Sequence, residues 1–293
     1  MDKVWSMFKI SARLSHKETM VKTPVSSYSK IIYVLFFLML VWWLILATNG
    51  AHDTINNFLY GATLGFLPLL GSIFGLINTK RWGGLKSSMG RTMGFLSIGL
   101  TTWGIGTLIF AYYNIFLTIA VPYPSLADIF YIISWPLWVI SMVNLSRATG
   151  VKFQLKNIGG RLALFLIPVL AAVASYYLLI VVARGGVIST QDGVLKTFFD
   201  LAYPIGDIVI LTVALLVYGL SFNYLGGLFK WPIILILFGF FANYVGDFTF
   251  VYTITKETYF VANWVDLIYT TAFFLLSLGA SLIDPKLFSK KME

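Results

Sequence analysis

Four aspartates interrupt otherwise apolar stretches of the 293-residue sequence: Asp128, Asp207, Asp247 and Asp266. A carboxylate in such a stretch costs free energy unless it has a partner, a proton or a ligand. Acids placed in this way are typical of ion pathways and ligand sites in membrane proteins. The chemistry of the chain therefore depends on what these four carboxylates face.

The segments that carry the acids are long enough to cross a membrane. Hydrophobic residues make up 58% of the chain and charged residues 11%, and about 20 apolar residues span a bilayer core. Hydropathy predicts an all-α polytopic membrane protein with eight transmembrane helices. Their predicted ranges are 31–49, 55–78, 91–115, 125–146, 161–183, 200–222, 231–253 and 262–283.

The basic residues predict how these spans are oriented. The expected organisation is a basic tail over residues 1–30, a membrane domain over 31–283 and a short tail over 284–293. An even number of spans returns both termini to one side, and 18 of the 21 Lys and Arg residues lie on that side. Only Arg184, Lys196 and Lys256 lie on the other. Since Lys and Arg favour the cytoplasmic face, we predict a multi-pass protein of the cell membrane with both termini cytoplasmic.

Composition excludes several classes of function. A net charge of +9 would suggest nucleic acid in a soluble domain, but here the basic residues flank apolar spans, so the lipid bilayer is the expected partner and nucleic acid is not. The absence of cysteine excludes disulfides, thiolate nucleophiles and Cys-ligated metals. The two histidines, His16 and His52, lie outside the predicted spans, which excludes an intramembrane His-ligated zinc or bis-His haem site. The residues identify no cofactor.

Short motifs recur about 140 residues apart along the chain. Residues 127–131 (ADIFY) match 265–269 (VDLIY), residues 82–85 (WGGL) match 225–228 (LGGL), and Gly106 matches Gly246. The pattern predicts two parallel four-helix repeats, about 31–157 and 158–283, related by a pseudo-two-fold axis along the membrane normal. A binding site is expected at their interface.

The predicted orientation brings the acids to similar depths. At the helical rise per residue they lie roughly 4–11 Å below the outer boundary, so they are expected to line one outward-facing pocket. Its predicted walls include Trp103, Thr107, Tyr131, Tyr203, Asn243 and Asn263. Alternatively, Asp128 and Asp266 only cap the starts of their helices. Asp247 is near a helix C-terminal end, where the dipole opposes its charge, so it is expected to need a partner, a proton or a ligand.

A family resemblance rests on the segments around these acids. Residues 124–131 (PSLADIFY) and 135–137 (WPL) resemble the Pro-Ser-x-x-Asp-x-x-Tyr and Tyr-Pro-Leu pattern in the eight-helix membrane region of some bacterial diguanylate cyclases and sensor histidine kinases. Residues 201–207 (LAYPIGD) and 243–247 (NYVGD) resemble further helices of that architecture. The resemblance covers roughly residues 31–283 and implies a sensory region. Since no catalytic or kinase domain follows residue 283, we expect action through a separate partner.

Two hypotheses use the same pocket. The first is a receptor-like or scaffold protein that binds a cation or a small cationic or polar ligand and acts through a cytoplasmic or membrane protein partner. The second is a cation- or proton-coupled transporter or channel, which requires a polar route to the inner side. The inner halves of the spans offer little beyond Asn78, Asn144, Ser146, Ser221 and Asn223, which favours the first hypothesis.

A third hypothesis is enzymatic. Asp207 and Asp247 on consecutive helices are similar to the two aspartates of intramembrane aspartyl proteases, which share a proton to activate water. The Pro-Ala-Leu segment of that family is missing, and both acids are predicted near the outer face. The sequence therefore favours the two binding hypotheses over this enzymatic one, which stays a third alternative.

Overall fold

The computed structural model describes residues 26–149, 151, 156–186, 193–221 and 230–289. Eight helices in these ranges are long and apolar enough to cross a membrane, and the described residues contain no strand, which confirms the predicted all-α fold class. The helices are α1 (Ser27–Asn49), α2 (Ile55–Arg81), α3 (Ser88–Tyr112), α4 (Leu126–Ala148), α5 (Ile158–Ser175), α6 (Val194–Ser221), α7 (Lys230–Thr255) and α8 (Trp264–Leu282). α3 and α5 continue into π-helical turns, Tyr113–Leu117 and Tyr176–Val182.

The helix bounds follow the predicted ones most closely where polar residues end a span. When the π-helical turns are counted with their helices, the largest difference is in α6, which begins at Val194 instead of residue 200. The prediction took Asp200 as a polar boundary, but the fold provides partners for its carboxylate, so the helix extends beyond it. α1 begins at Ser27, where the Ser26 hydroxyl accepts the Ser29 N–H. Most of the predicted 1–30 tail, and the second copy of the WGGL-like motif at 225–228, lie outside the described residues.

The core is built from helices of both predicted halves. α2 packs between α3 and α8, α3 packs on α4, α7 packs on α8, and α6 contacts α4, α5 and α7. Trp138, Phe240 and Phe273, from α4, α7 and α8, belong to the largest buried cluster. α1 and α5 bury the smallest shares of their residues, as expected for helices at the lipid-facing periphery.

One packing contact recurs at matching positions of the predicted repeat. A Cβ atom on Gly106 of α3 would lie 2.7 Å from the ring of Tyr131 on α4, and one on Gly246 of α7 would lie 2.8 Å from the ring of Tyr269 on α8. Only glycine permits so close an approach of ring and helix backbone. The relation between the two halves by a two-fold axis stays a prediction.

Candidate functional site

A cavity of about 1000 Å³ opens at one end of the helix bundle. We call this the pocket end. The cavity extends down between α2, α3, α4, α6, α7 and α8, with the loops over residues 118–125 and 256–263 at its mouth. Trp103, Tyr131 and Tyr269 line its interior, where the Trp103 ring centroid lies 4.6 Å from that of Tyr131 and 6.3 Å from that of Tyr269.

Eight of the ten predicted pocket residues line this cavity, and two do not. Those that line it are Trp103, Thr107, Asp128, Tyr131, Tyr203, Asp207, Asp247 and Asp266. Asn243 lies one helical turn below Asp247 and is buried beneath it. Asn263 is the N-cap of α8: its side-chain oxygen accepts the N–H of Val265, and its carbonyl accepts the indole N–H of Trp43. The prediction that these two asparagines form pocket walls is therefore wrong.

Asp128 combines the two roles that the sequence left open. Its Oδ2 accepts the backbone N–H of Ser125 at 2.6 Å and the Ser125 hydroxyl at 2.9 Å, which forms the capping box of α4. Its Oδ1 accepts the hydroxyl of Tyr203 at 2.6 Å. The same carboxylate therefore caps one helix and links it to α6.

Asp266 is bound in a similar way at the start of α8. Its Oδ2 accepts the backbone N–H of Ala262 at 2.6 Å, and its Oδ1 accepts the Tyr259 hydroxyl at 3.1 Å. Burial and the charge of Asp266 raise the pKa of the Tyr259 hydroxyl, so this loop residue stays a hydrogen-bond donor.

Asp247 has donors for both carboxylate oxygens. Oδ1 accepts the Tyr269 hydroxyl at 2.7 Å, and Oδ2 accepts the Asn243 side-chain N–H at 2.8 Å. These two donors are the partners that its position near the end of α7 led us to expect.

The sequence analysis did not identify a fifth buried acid that lines the cavity, Asp200. Its Oδ1 accepts Nη1 of Arg184 at 2.7 Å and the Tyr123 hydroxyl at 3.0 Å. Burial and the charge of Asp200 raise the pKa of that hydroxyl. The sequence feature that could have pointed to Asp200 was Arg184, one of three basic residues on the predicted outer side. Arg184 follows an apolar span, where it needs an acidic partner.

Asp207 differs from the other four acids. Each of Asp128, Asp200, Asp247 and Asp266 accepts a tyrosine hydroxyl, whereas no N–H group or hydroxyl within the described ranges donates to Asp207. Its side chain is only 3% exposed and lines the cavity. The carboxyl group of Asp247 lies within hydrogen-bonding reach of it.

Two further polar atoms of cavity-lining residues are unsatisfied. Nδ2 of Asn114 and Nε of Arg184 are buried and have no hydrogen-bond partner among the described residues. Buried polar atoms normally find a partner, so the cavity offers N–H donors near its mouth as well as acids deeper down.

Comparison of the chain with protein-family models, curated proteins and solved structures finds no match. The resemblance to sensory membrane regions therefore stays a hypothesis. In the part of the chain that the structure describes, no three His, Cys, Asp or Glu side chains are grouped so that they could hold a metal ion.

Among the described residues, buried side chains fill the bundle between the cavity and the opposite end. Directly beneath the cavity, Trp103 stacks on Trp138 with centroids 5.4 Å apart, and Trp138 and Phe273 are fully buried. Farther down, Nη1 of Arg81 pairs with Oδ2 of Asp284 at 2.5 Å, and the Trp82 indole donates to the carbonyl of Ile283 at 3.0 Å. These contacts seal the interior between the acids and that end.

Proposed function

We propose that the protein is a receptor-like or scaffold membrane protein whose acidic, aromatic pocket binds a cation or a small cationic or polar ligand. The pocket faces outward in the cell membrane, both termini are cytoplasmic, and occupancy acts on a separate cytoplasmic or membrane protein. The orientation rests on the asymmetric distribution of Lys and Arg.

The proposal depends on Asp207, whose buried carboxyl group accepts no hydrogen bond from an N–H group or hydroxyl of the described residues. A buried carboxyl group without a donor is unstable as an anion, and the other four acids around the cavity each have a tyrosine hydroxyl. A positively charged group that enters the cavity would supply the missing partner. The Asn114 and Arg184 donors near the mouth suit polar atoms on the same ligand.

The two alternative hypotheses use the same acids. A cation-coupled transporter needs a route past Trp138 and Phe273 and past the Arg81–Asp284 pair, all of which close the interior. The proximity of Asp207 and Asp247 favours an aspartyl hydrolase, since such a pair activates water by sharing a proton. Cleavage of a transmembrane substrate by the wild type but not by Asp207→Asn would support that hydrolase.

Thermal unfolding of the full chain in detergent tests ligand binding. Potassium, calcium and tetramethylammonium chlorides are compared at equal chloride concentration for the wild type, Asp207→Asn and Glu257→Gln. Glu257 is an exposed acid that does not line the cavity, so its variant matches the change in charge. A bound cation at about 100 times its Kd adds about 2.7 kcal/mol, or about 5 °C in a chain of this size.

We expect this shift for the wild type and Glu257→Gln and its loss in Asp207→Asn. Equal melting of all three proteins in every salt would overturn the proposal.

A further inference from the structure

We infer that Asp207 and Asp247 form a proton-exchange site, in which Asp207 holds one proton in the empty pocket and a bound ammonium group takes that proton's place. The inference rests on the proposed function, because a cation must first be able to enter the cavity.

The contact between the two acids requires a proton. Both side chains are buried, 3% and 6% exposed, and their carboxyl groups are within hydrogen-bonding reach. Two carboxylate anions have no hydrogen to share and repel each other strongly away from water. One protonated and one ionised carboxyl group instead form a charge-assisted hydrogen bond.

The hydrogen bonds decide which acid holds the proton. Asp247 already accepts from Tyr269 and Asn243, one donor on each oxygen, as an anion should. Asp207 accepts from no N–H or hydroxyl of the described chain. The proton therefore belongs to Asp207, whose O–H donates to Asp247.

The charges around the pair do not supply a substitute for the proton. The acids Asp128 on α4 and Asp266 on α8 line the same cavity. The hydroxyls of Tyr131, Tyr203, Tyr244 and Tyr269 face the pair, and a tyrosine hydroxyl carries no positive charge. The described ion pairs, Arg81–Asp284 and Arg184–Asp200, do not include Asp207. Two cations also line the cavity, Arg184 and Lys196. Arg184 pairs with Asp200, and Lys196 lies eleven residues before Asp207, about 16 Å away along α6. We therefore infer that the cation for this site comes from solution.

The shape and chemistry of the cavity favour an organic ammonium group over a metal ion. A volume of about 1000 Å³ is far larger than a single ion needs. The rings of Trp103, Tyr131 and Tyr269 line the same space as the acids, and aromatic faces attract ammonium groups through cation–π interactions. A calcium ion would need six to eight oxygen ligands, whereas four of the five buried acids that line the cavity already accept a tyrosine hydroxyl.

The exchange of a proton for an ammonium ion conserves atoms and charge. The Asp207 O–H bond breaks, its proton leaves through the open mouth of the cavity, and the resulting carboxylate pairs with the incoming ammonium ion. The net charge of the site is unchanged, and no covalent bond to the ligand forms. Binding must therefore release about one proton per cation and weaken as the pH falls.

Isothermal titration of tetramethylammonium chloride into the full chain in detergent measures this release. Titrations at one pH in phosphate and in Tris, which differ in protonation enthalpy, give the number of protons released. We expect about one proton for the wild type and for the control Glu257→Gln. Asp207→Asn should bind about tenfold more weakly or worse and release none, because its amide cannot ionise.

The outcomes separate the two proposals. Binding without proton release would overturn the exchange and leave the proposed function standing, while no tetramethylammonium binding by the wild type would overturn the ammonium site itself. Stabilisation by potassium or calcium alone would support the proposed function against the ammonium inference. The amide of Asp207→Asn can still donate to Asp247, so the variant should fold. If this variant does not fold, the number of protons released by the wild type still tests the proton exchange.

Discussion

The hydroxyl of Tyr203 on α6 lies 2.6 Å from Oδ1 of Asp128 on α4 and donates a hydrogen bond to it. Asp128 also caps α4 through Ser125, so its carboxylate connects the start of one helix to the middle of another. The bond crosses between the two predicted halves beside the cavity. A helix-capping acid thereby becomes part of the pocket wall.

Removal of the Tyr203 hydroxyl tests the strength of this link. Tyr203→Phe leaves Asp128 buried with one donor fewer, which should destabilise the protein by about 1–3 kcal/mol. The matched control is Tyr252→Phe, at a more exposed position on α7 whose hydroxyl makes no hydrogen bond with any described residue. Thermal unfolding in detergent measures both. Equal shifts would show that the Tyr203–Asp128 bond contributes nothing.

If Asp207 holds the proton, the isosteric variants Asp207→Asn and Asp247→Asn should differ in melting temperature. Asp207→Asn keeps an N–H that can donate to Asp247, so its melting temperature should be close to that of the wild type. Asp247→Asn turns an amide N–H toward Tyr269 or Asn243, both of which are donors, and should melt lower. A lower melting temperature for Asp207→Asn than for Asp247→Asn would place the proton on Asp247.

The two glycine–tyrosine contacts predict sensitivity to a single methyl group. Gly106→Ala and Gly246→Ala force the rings of Tyr131 and Tyr269 away from their helices, and each should cost about 1–3 kcal/mol. In Gly219→Ala on α6 the added Cβ meets only Ile167, at 3.9 Å, so this control should be neutral or stabilising. The prediction is wrong if all three variants melt alike.

The loop tyrosines predict a loss of stability at alkaline pH. Burial, strengthened by a nearby aspartate, raises the pKa of Tyr123 and Tyr259 above the unfolded value of about 10. The folded state therefore keeps its phenolic protons longer than the unfolded chain does. The resulting stability is complete below about pH 10 and declines as the pH rises above that value.

Melting curves from about pH 9 to 11 measure this decline. It should be shallower in Tyr123→Phe and Tyr259→Phe than in the wild type, with Tyr252→Phe as control. If the melting temperatures of both loop variants fall with pH as steeply as that of the wild type, Tyr123 and Tyr259 do not contribute to the alkaline loss of stability.

The orientation can be tested because the chain contains no cysteine. Single cysteines at Ala51 and Thr255, both exposed at the pocket end, should react with an impermeant maleimide in sealed cells. A cysteine at Ser88, at the opposite end, should react only after permeabilisation. The reverse pattern would place the pocket on the cytoplasmic side.

The sequence by itself determined the eight helices and the depth of the four predicted acids along them. In an apolar medium the backbone can satisfy its hydrogen bonds only in helices or closed barrels, and apolar runs of about 20 residues match the length of a spanning helix. The helical rise then converts residue number into depth. This is why Asp128, Asp207, Asp247 and Asp266, with Trp103 and Tyr131, were expected in one pocket and line one cavity.

Only the tertiary structure decided how these acids are paired. Hydrogen-bond partners depend on how each helix is rotated about its axis and where the loops fold back, and neither is encoded in local hydropathy. Tyr123 reaches Asp200 across 77 residues, and Asn263, at the expected height, turns its side chain into the cap of α8. The tyrosine hydroxyls that bind the other four acids come from several helices and loops. Whether an acid has such a donor is therefore decided only when the helices pack together, and Asp207 has none among the described residues.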